Sequence, residues 1–208
     1  SVAEEFGVRT FSDDSALGEA DAVDIAVPTY NHFDVAKRAL EAGRDVMVEK
    51  PMTETVAQAE ELVRIMEANG RVFMVGHLFR YNPAVEYVKR ALDEGEIGKV
   101  RFLRGRFMGF RFKEHDAGIL ATTSIHFLYL SNYFIGKSPK AVRARARYLL
   151  DSRLDDLCTV HLEYGPEFSI IESDYFTPGK WRTFDIIGTQ GSILVDVLNQ
   201  KVELHRKK

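Results

Sequence analysis

A single cysteine, Cys158, in 208 residues leaves no partner for a disulfide within the chain, so covalent staples do not hold this fold. No apolar run is long enough for a membrane helix, and no charged-then-apolar leader opens the sequence. Neither sign of charge dominates. With 28 basic against 31 acidic residues and a net charge of −3, there is no cationic field to hold nucleic acid or an anionic membrane. Cysteine and histidine are not clustered at metal-ligand spacing, and there is no internal repeat or low-complexity tract. These absences predict a globular, cytoplasmic protein with no metal, no nucleic-acid partner and no membrane. What is present is a composition that is 45% hydrophobic, enough for one generous core or two small ones.

The stretch that organises the chain is Val46-Met47-Val48-Glu49-Lys50-Pro51. Val, Met and Val in succession read as a strand buried on both faces inside a parallel sheet, so the next three residues fall at its carboxyl end. Ligands bind at that edge in open α/β sheets. Proline cannot continue the ladder, so Lys50 is held at the rim, either as a working lysine or as a solvated residue after a strand. Ahead of it, Val2-Ala3-Glu4-Glu5-Phe6 reads as helix closed by Gly7, and a start on a helix end predicts that one or more strands precede Ser1. Ala22 to Val27 reads as a strand ended by Pro28-Thr29-Tyr30-Asn31-His32, and Phe33 to Ala42 as a helix stopped by Gly43. Behind it, Thr55 to Asn69 reads as a helix whose Thr55 and Gln58 fit a capping box. Arg71 to Gly76 reads as another buried strand that delivers His77, Arg80 and Tyr81. Asn82 caps and Pro83 starts a helix to about Asp93.

After Gly95 the period changes. Seven segments between Val100 and His205 alternate or carry β-branched and aromatic residues, which predicts a run of mostly antiparallel strands. Arg143, Arg145 and Arg147 lie at spacing two, so one face of that strand reads as basic, more often solvated than in contact with an anion or a subunit, and the other as small and apolar. A nearly all-apolar helix from about Ile119 to Tyr133 interrupts the strands with His126 in its middle. By pattern alone such a histidine is more often a satisfied core residue than a catalyst.

Taken together, Val27-Pro28-Thr29 with His32, Glu49-Lys50-Pro51, Gly76-His77 with Arg80-Tyr81-Asn82-Pro83, and Gly118-Ile119-Leu120 leading to Ile125-His126 resemble the glucose-fructose oxidoreductase and inositol dehydrogenase family, Gfo/Idh/MocA. The resemblance implies an α/β fold: a partial Rossmann-type parallel sheet over residues 1–95, then an α+β substrate and oligomerisation domain with a large, mainly antiparallel open sheet over 96–208. It implies NAD or NADP as cofactor, a sugar, cyclitol or nucleotide sugar as substrate, and a homodimer or homotetramer through the antiparallel sheet. On the same footing Lys50 and His126 are the catalytic residues, Pro28, Thr29, His32, Glu49 and Lys50 face the cofactor, and Lys50, Arg80, Thr122 and His126 face the substrate. The chemistry agrees, because hydride leaves a carbinol carbon only as its hydroxyl proton is removed and the developing charge is steadied.

The sequence departs from the family at two places. Thr122 stands where many members carry an aspartate, and Phe127 where an acidic residue often follows the histidine. Threonine bonds a hydroxyl but takes no proton near neutral pH, which puts the base role on His126 and Lys50; His115 and Asp116 lie nearby in sequence and read as loop-surface residues sooner than as substitutes. The glycine-rich turn that holds a dinucleotide pyrophosphate has no Gly-x-Gly-x-x-Gly counterpart here, and relatives continue through a further helix and strand. The chain by itself is therefore expected to bind the dinucleotide poorly. The rival expectation is a non-catalytic relative that serves as a binding or assembly module.

Overall fold

The computed structural model describes residues 2–110, 117–150 and 153–207; His115 and Asp116, and the end of the strand expected to reach Phe112, lie outside them. The chain divides into two compact units, Ser1–Gly76 and His77–Lys208.

The first unit opens with the short helix α1 (Val2–Phe6), which Gly7 closes at φ 63°. A three-stranded parallel sheet follows, β1 (Ala22–Ile25), β2 (Asp45–Val48) and β3 (Phe73–Val75), in that spatial order. The crossovers are α2 (His32–Glu41) and α3 (Val56–Asn69). Thr55 and Gln58 form the expected capping box, each side chain bonded to the other residue's backbone N–H. Ala36, Ala39, Leu40 and Leu62 of the helices bury Ile25, Val46 and Val48. The strand expected to be buried on both faces is covered on one. Met47 and Met74 point to the other face and are each 36% exposed, so β2 alternates as a half-covered strand does.

In the second unit, α4 (Pro83–Asp93) starts under Asn82, whose side chain accepts from the Ala84 and Val85 N–H groups. The sequence boundary at Gly95 is therefore displaced to Gly76. Ala84, Val85, Val88 and Ala91 of α4 belong to the second core, and the Asn82 amide donates to Val197 O. The large sheet comprises β4 (Val100–Gly109), β5 (Ala141–Arg147), β6 (Leu157–Glu163), β7 (Phe168–Asp174), β8 (Lys180–Gly188), β9 (Gly191–Asp196) and β10 (Lys201–Arg206). Its spatial order is β10-β9-β8-β4-β7-β6-β5. All neighbours but one are antiparallel, the mostly antiparallel run that the change of period predicts; the exception, which it does not predict, is the parallel pair β4 and β7. One face of the sheet meets α4 and the apolar helix α5 (Ile125–Ile135), which Gly136 ends at φ 79°. That contact is close-packed. A Cβ at Gly105 would stand 2.8 Å from carbons of Phe127, Ile171 and Phe184, which is why a glycine lies mid-strand in β4. The opposite face leaves Phe168, Trp181, Ile187 and Leu194 exposed. Edge strand β5 is largely open on both sides. Val142 and Ala144 are exposed along with Arg143 and Arg145, while Ala146, on the small apolar face, packs against the core.

The apolar helix differs from its sequence reading. A π-helical turn, Leu120–Ser124, occupies its expected first part, and regular α-helix begins only at Ile125. Periodicity is blind to this, because a π-turn inserts one residue without changing the composition of the run.

Candidate active site

In the first unit the three parallel strands deliver polar residues at one edge. β1 leads to Pro28 and to Thr29, which begins a short 3₁₀ turn. β2 leads to Glu49, Lys50 and Pro51, with a cis Lys50–Pro51 peptide, and β3 to Gly76. The ladder extends into this edge, since Glu49 N–H donates to Ile25 O and Gly76 N–H to Val48 O. Glu49 Oε2 accepts the Lys50 N–H at 3.2 Å, and its carboxylate fills the space beside Gly76, where a Cβ would stand 3.3 Å from that oxygen. Lys50 is half-buried.

His32, read from the sequence as cofactor-facing, lies beneath that edge. It is 1% exposed, with Nδ1 2.8 Å from Pro51 O and Nε2 2.9 Å from Val27 O. Each ring nitrogen lies against a backbone carbonyl, and the N–H the ring donates links the exit of β1 to the Lys50-Pro51 turn from one side or the other.

The second unit assembles the other group. His126 lies in the first turn of α5 and is 6% exposed. Phe79 meets it edge-on at 4.9 Å, and Phe107 of β4 stacks on it at 5.9 Å. The Arg182 guanidinium sits 3.5 Å from the Phe107 ring centroid and donates to Met108 O. Thr122 Oγ1 donates to Gly118 O at 2.9 Å and lies 3.1 Å from the Tyr175 hydroxyl, which is 3.4 Å from Thr123 Oγ1. Arg80 is drawn the other way along α5. Its guanidinium lies 4.3 Å from the Tyr133 ring and 3.9 Å from Glu86, while His77 stacks on Tyr129 at 4.2 Å.

Thus Pro28, Thr29, His32, Glu49 and Lys50 gather in the first unit, and Thr122 and His126 in the second, with Arg80 against Tyr133. Sequence reasoning missed Phe79, Phe107, Tyr175 and Arg182. Tyr175 had one usable signal, its place just past the carboxyl end of a strand. The aromatic wall had none, since Phe79 in its 3₁₀ turn (Leu78–Tyr81) and Phe107 in β4 both read as ordinary apolar packing residues. Burial pushes the Tyr129 phenol and the Cys158 thiol above their ordinary values, the latter countered in part by Ser124, whose Oγ lies 3.1 Å from the sulfur. Among the described residues no three His, Cys, Asp or Glu side chains converge to hold a metal, and no helix is long and apolar enough to cross a membrane.

Comparison with known proteins bears on the family of this chain. Residues 1–77 match the family model described as an oxidoreductase family with an NAD-binding Rossmann fold, and residues 85–194 match the GFO/IDH/MocA C-terminal domain. The scyllo-inositol 2-dehydrogenase (NAD(+)) of Bacillus subtilis strain 168 is 30% identical over 216 residues, covering 96% of this chain and 63% of that protein. The UDP-N-acetylglucosamine 3-dehydrogenase of Acidithiobacillus ferrooxidans is 35% identical over 145 residues, 69% of this chain and 45% of that one. A crystal structure of the latter enzyme superposes with a TM-score of 0.89 at 27% identity, covering 99% of this chain and 67% of its own. The chain therefore spans about half to two-thirds of the length of these relatives. Matched across both of its units, it belongs to the GFO/IDH/MocA oxidoreductase family.

Proposed function

We propose that this chain carries the nicotinamide-facing strand ends and the acid–base residues of an oxidoreductase that uses NAD or NADP, with hydride passing between the cofactor and a carbinol or carbonyl carbon of a sugar, cyclitol or nucleotide sugar. The observation that carries the reading is the Glu49-Lys50-Pro51 turn at the carboxyl edge of a parallel sheet, braced by His32 through Pro51 O. The edge suits a dinucleotide, because Pro28, Thr29, Glu49 and Lys50 all follow strand ends of a parallel sheet. When bound, the nicotinamide supplies the hydride acceptor or donor. Lys50 is assigned to steady the charge that develops on the substrate oxygen, and His126 to take or return the hydroxyl proton. Phe79 and Phe107 shield the imidazole from water. Arg80 and Thr122 are assigned to the substrate, Thr122 as an acceptor because its hydroxyl proton is spent on Gly118 O. The exposed apolar face of the large sheet is assigned to a second copy in a homodimer or homotetramer, and one buried thiol suits a reducing compartment, the cytoplasm.

One observation favours the rival, non-catalytic module: Thr122 carries no carboxylate where many relatives have one. Fluorescence titration of the full-length gene product with NADH and NADPH separates the two. Saturable binding of either is the expected result, and it identifies the dinucleotide for a substrate screen. Absence of binding to both would move the assignment to the binding module.

A further inference from the structure

We propose that Tyr175 is a positioning residue for His126, acting through the π-turn Leu120–Ser124; the catalytic half of this statement rests on the role assigned to His126 above. The turn is defined by a five-residue bond, Ile125 N–H to Leu120 O, immediately before the residue pair Ile125-His126. An inserted residue turns everything after it by about 100° around the helix axis, because each residue of an α-helix advances by that angle. Relaxation of the turn into regular helix would therefore swing His126 away from Phe79 and Phe107.

A π-turn is a rare departure from regular helix, so contacts from outside its own backbone ladder bias the chain toward it. Three contacts do so here. Asp155 meets its beginning, with its carbonyl accepting from Ile119 N–H at 2.8 Å and its carboxylate from Leu120 N–H at 2.9 Å. Ser124 Oγ donates back to Ile119 O at 3.3 Å. Tyr175 grips the middle, and the direction of that bond follows from proton counting. Thr122 has one hydroxyl proton and gives it to Gly118 O, so at the 3.1 Å contact Thr122 accepts and the phenol donates. Tyr175 is well placed for this. It is 8% exposed, its own N–H donates to Asp156 O, and the preceding Asp174 fixes the chain by accepting from the Phe176 and Thr177 N–H groups. The sheet thereby determines the rotation of the helix that carries the histidine.

The test uses Tyr175→Phe in the full-length protein, which keeps the ring and removes the donor. Backbone amide exchange over Leu120–His126 should quicken roughly tenfold, the size of one lost hydrogen bond. In turnover assays kcat should fall, the affinity for reduced cofactor should stay unchanged, and the kcat–pH limb that disappears in His126→Gln should shift. Thr122→Val removes the acceptor of the same contact at nearly the same volume and should quicken exchange alike. Wild-type exchange in both variants would overturn the proposal, and so would a wild-type kcat and pH limb in Tyr175→Phe. If His126→Gln itself turns over normally, the acid–base assignment has failed, and amide exchange alone decides whether Tyr175 holds the turn.

Discussion

The two units place their functional residues by different means. In the first, each candidate follows a strand of a parallel sheet directly: Pro28 and Thr29 after β1, Glu49 and Lys50 after β2, Gly76 after β3. A parallel ladder brings successive strand ends to one edge, so residues that share only a position relative to their strands become neighbours in space. In the second unit the surroundings of His126 come from Phe79, Phe107, Tyr175 and Arg182, on separate elements spread over about a hundred residues of sequence. The comparison teaches that strand-end position gathers residues through one repeated local rule, whereas the surroundings of a helix residue are set by contacts between segments far apart in the chain.

The largest expected effect tests the first unit. Lys50→Met keeps the bulk and removes the charge, so turnover should fall at least about a hundredfold, the scale of a lost acid–base or charge-stabilising group. The melting curve should be little changed; an unaltered turnover would remove Lys50 from the chemistry. The packing of the second unit is tested by Gly105→Ala. Its new Cβ would meet carbons of Phe127, Ile171 and Phe184 at 2.8 Å, and overpacking of that kind costs about 1–3 kcal/mol. Because Phe127 adjoins His126, activity should fall together with the thermal midpoint, a coupling that Lys50→Met should not show.

The smallest effect is a dependence on alkaline pH. Burial raises the pKa of Tyr164, whose hydroxyl donates to Asn132 Oδ1 at 2.7 Å between β6 and α5. Below the ordinary tyrosine pKa of about 10, folded and unfolded phenols are both neutral, and the full contribution to stability is present. Above it the unfolded phenol releases its proton while the buried one retains it, so stability declines as pH rises. Tyr164→Phe should flatten that decline in urea melts between about pH 9 and 11. Tyr129, raised chiefly by burial, acts in the same direction and leaves some slope. An unchanged slope in Tyr164→Phe would show that the phenol ionises freely in the folded state.

Legibility follows the same division. Helix limits signalled by local chemistry were readable, such as the Thr55-Gln58 box, the Asn82-Pro83 start and the glycines after helices. So were the change from parallel to antiparallel pattern and the rim position of Lys50. Three features were not. The open face of β2 depends on which side the helices pack, the boundary at Gly76 on which core claims α4, and the clamp by His32 on the nearness of Pro51, nineteen residues away.

By itself the sequence determined the kinds of element, their order and the residues each strand presents at its end, because capping, turn chemistry and side-chain alternation act over a few residues. Only the tertiary structure decided that β4 lies parallel to β7, that Tyr175 reaches Thr122, and that a π-turn rotates His126 between two phenylalanine rings. Those outcomes depend on contacts between residues far apart in the chain, and the hydrophobic effect that drives such contacts is non-directional, so no local pattern announces them.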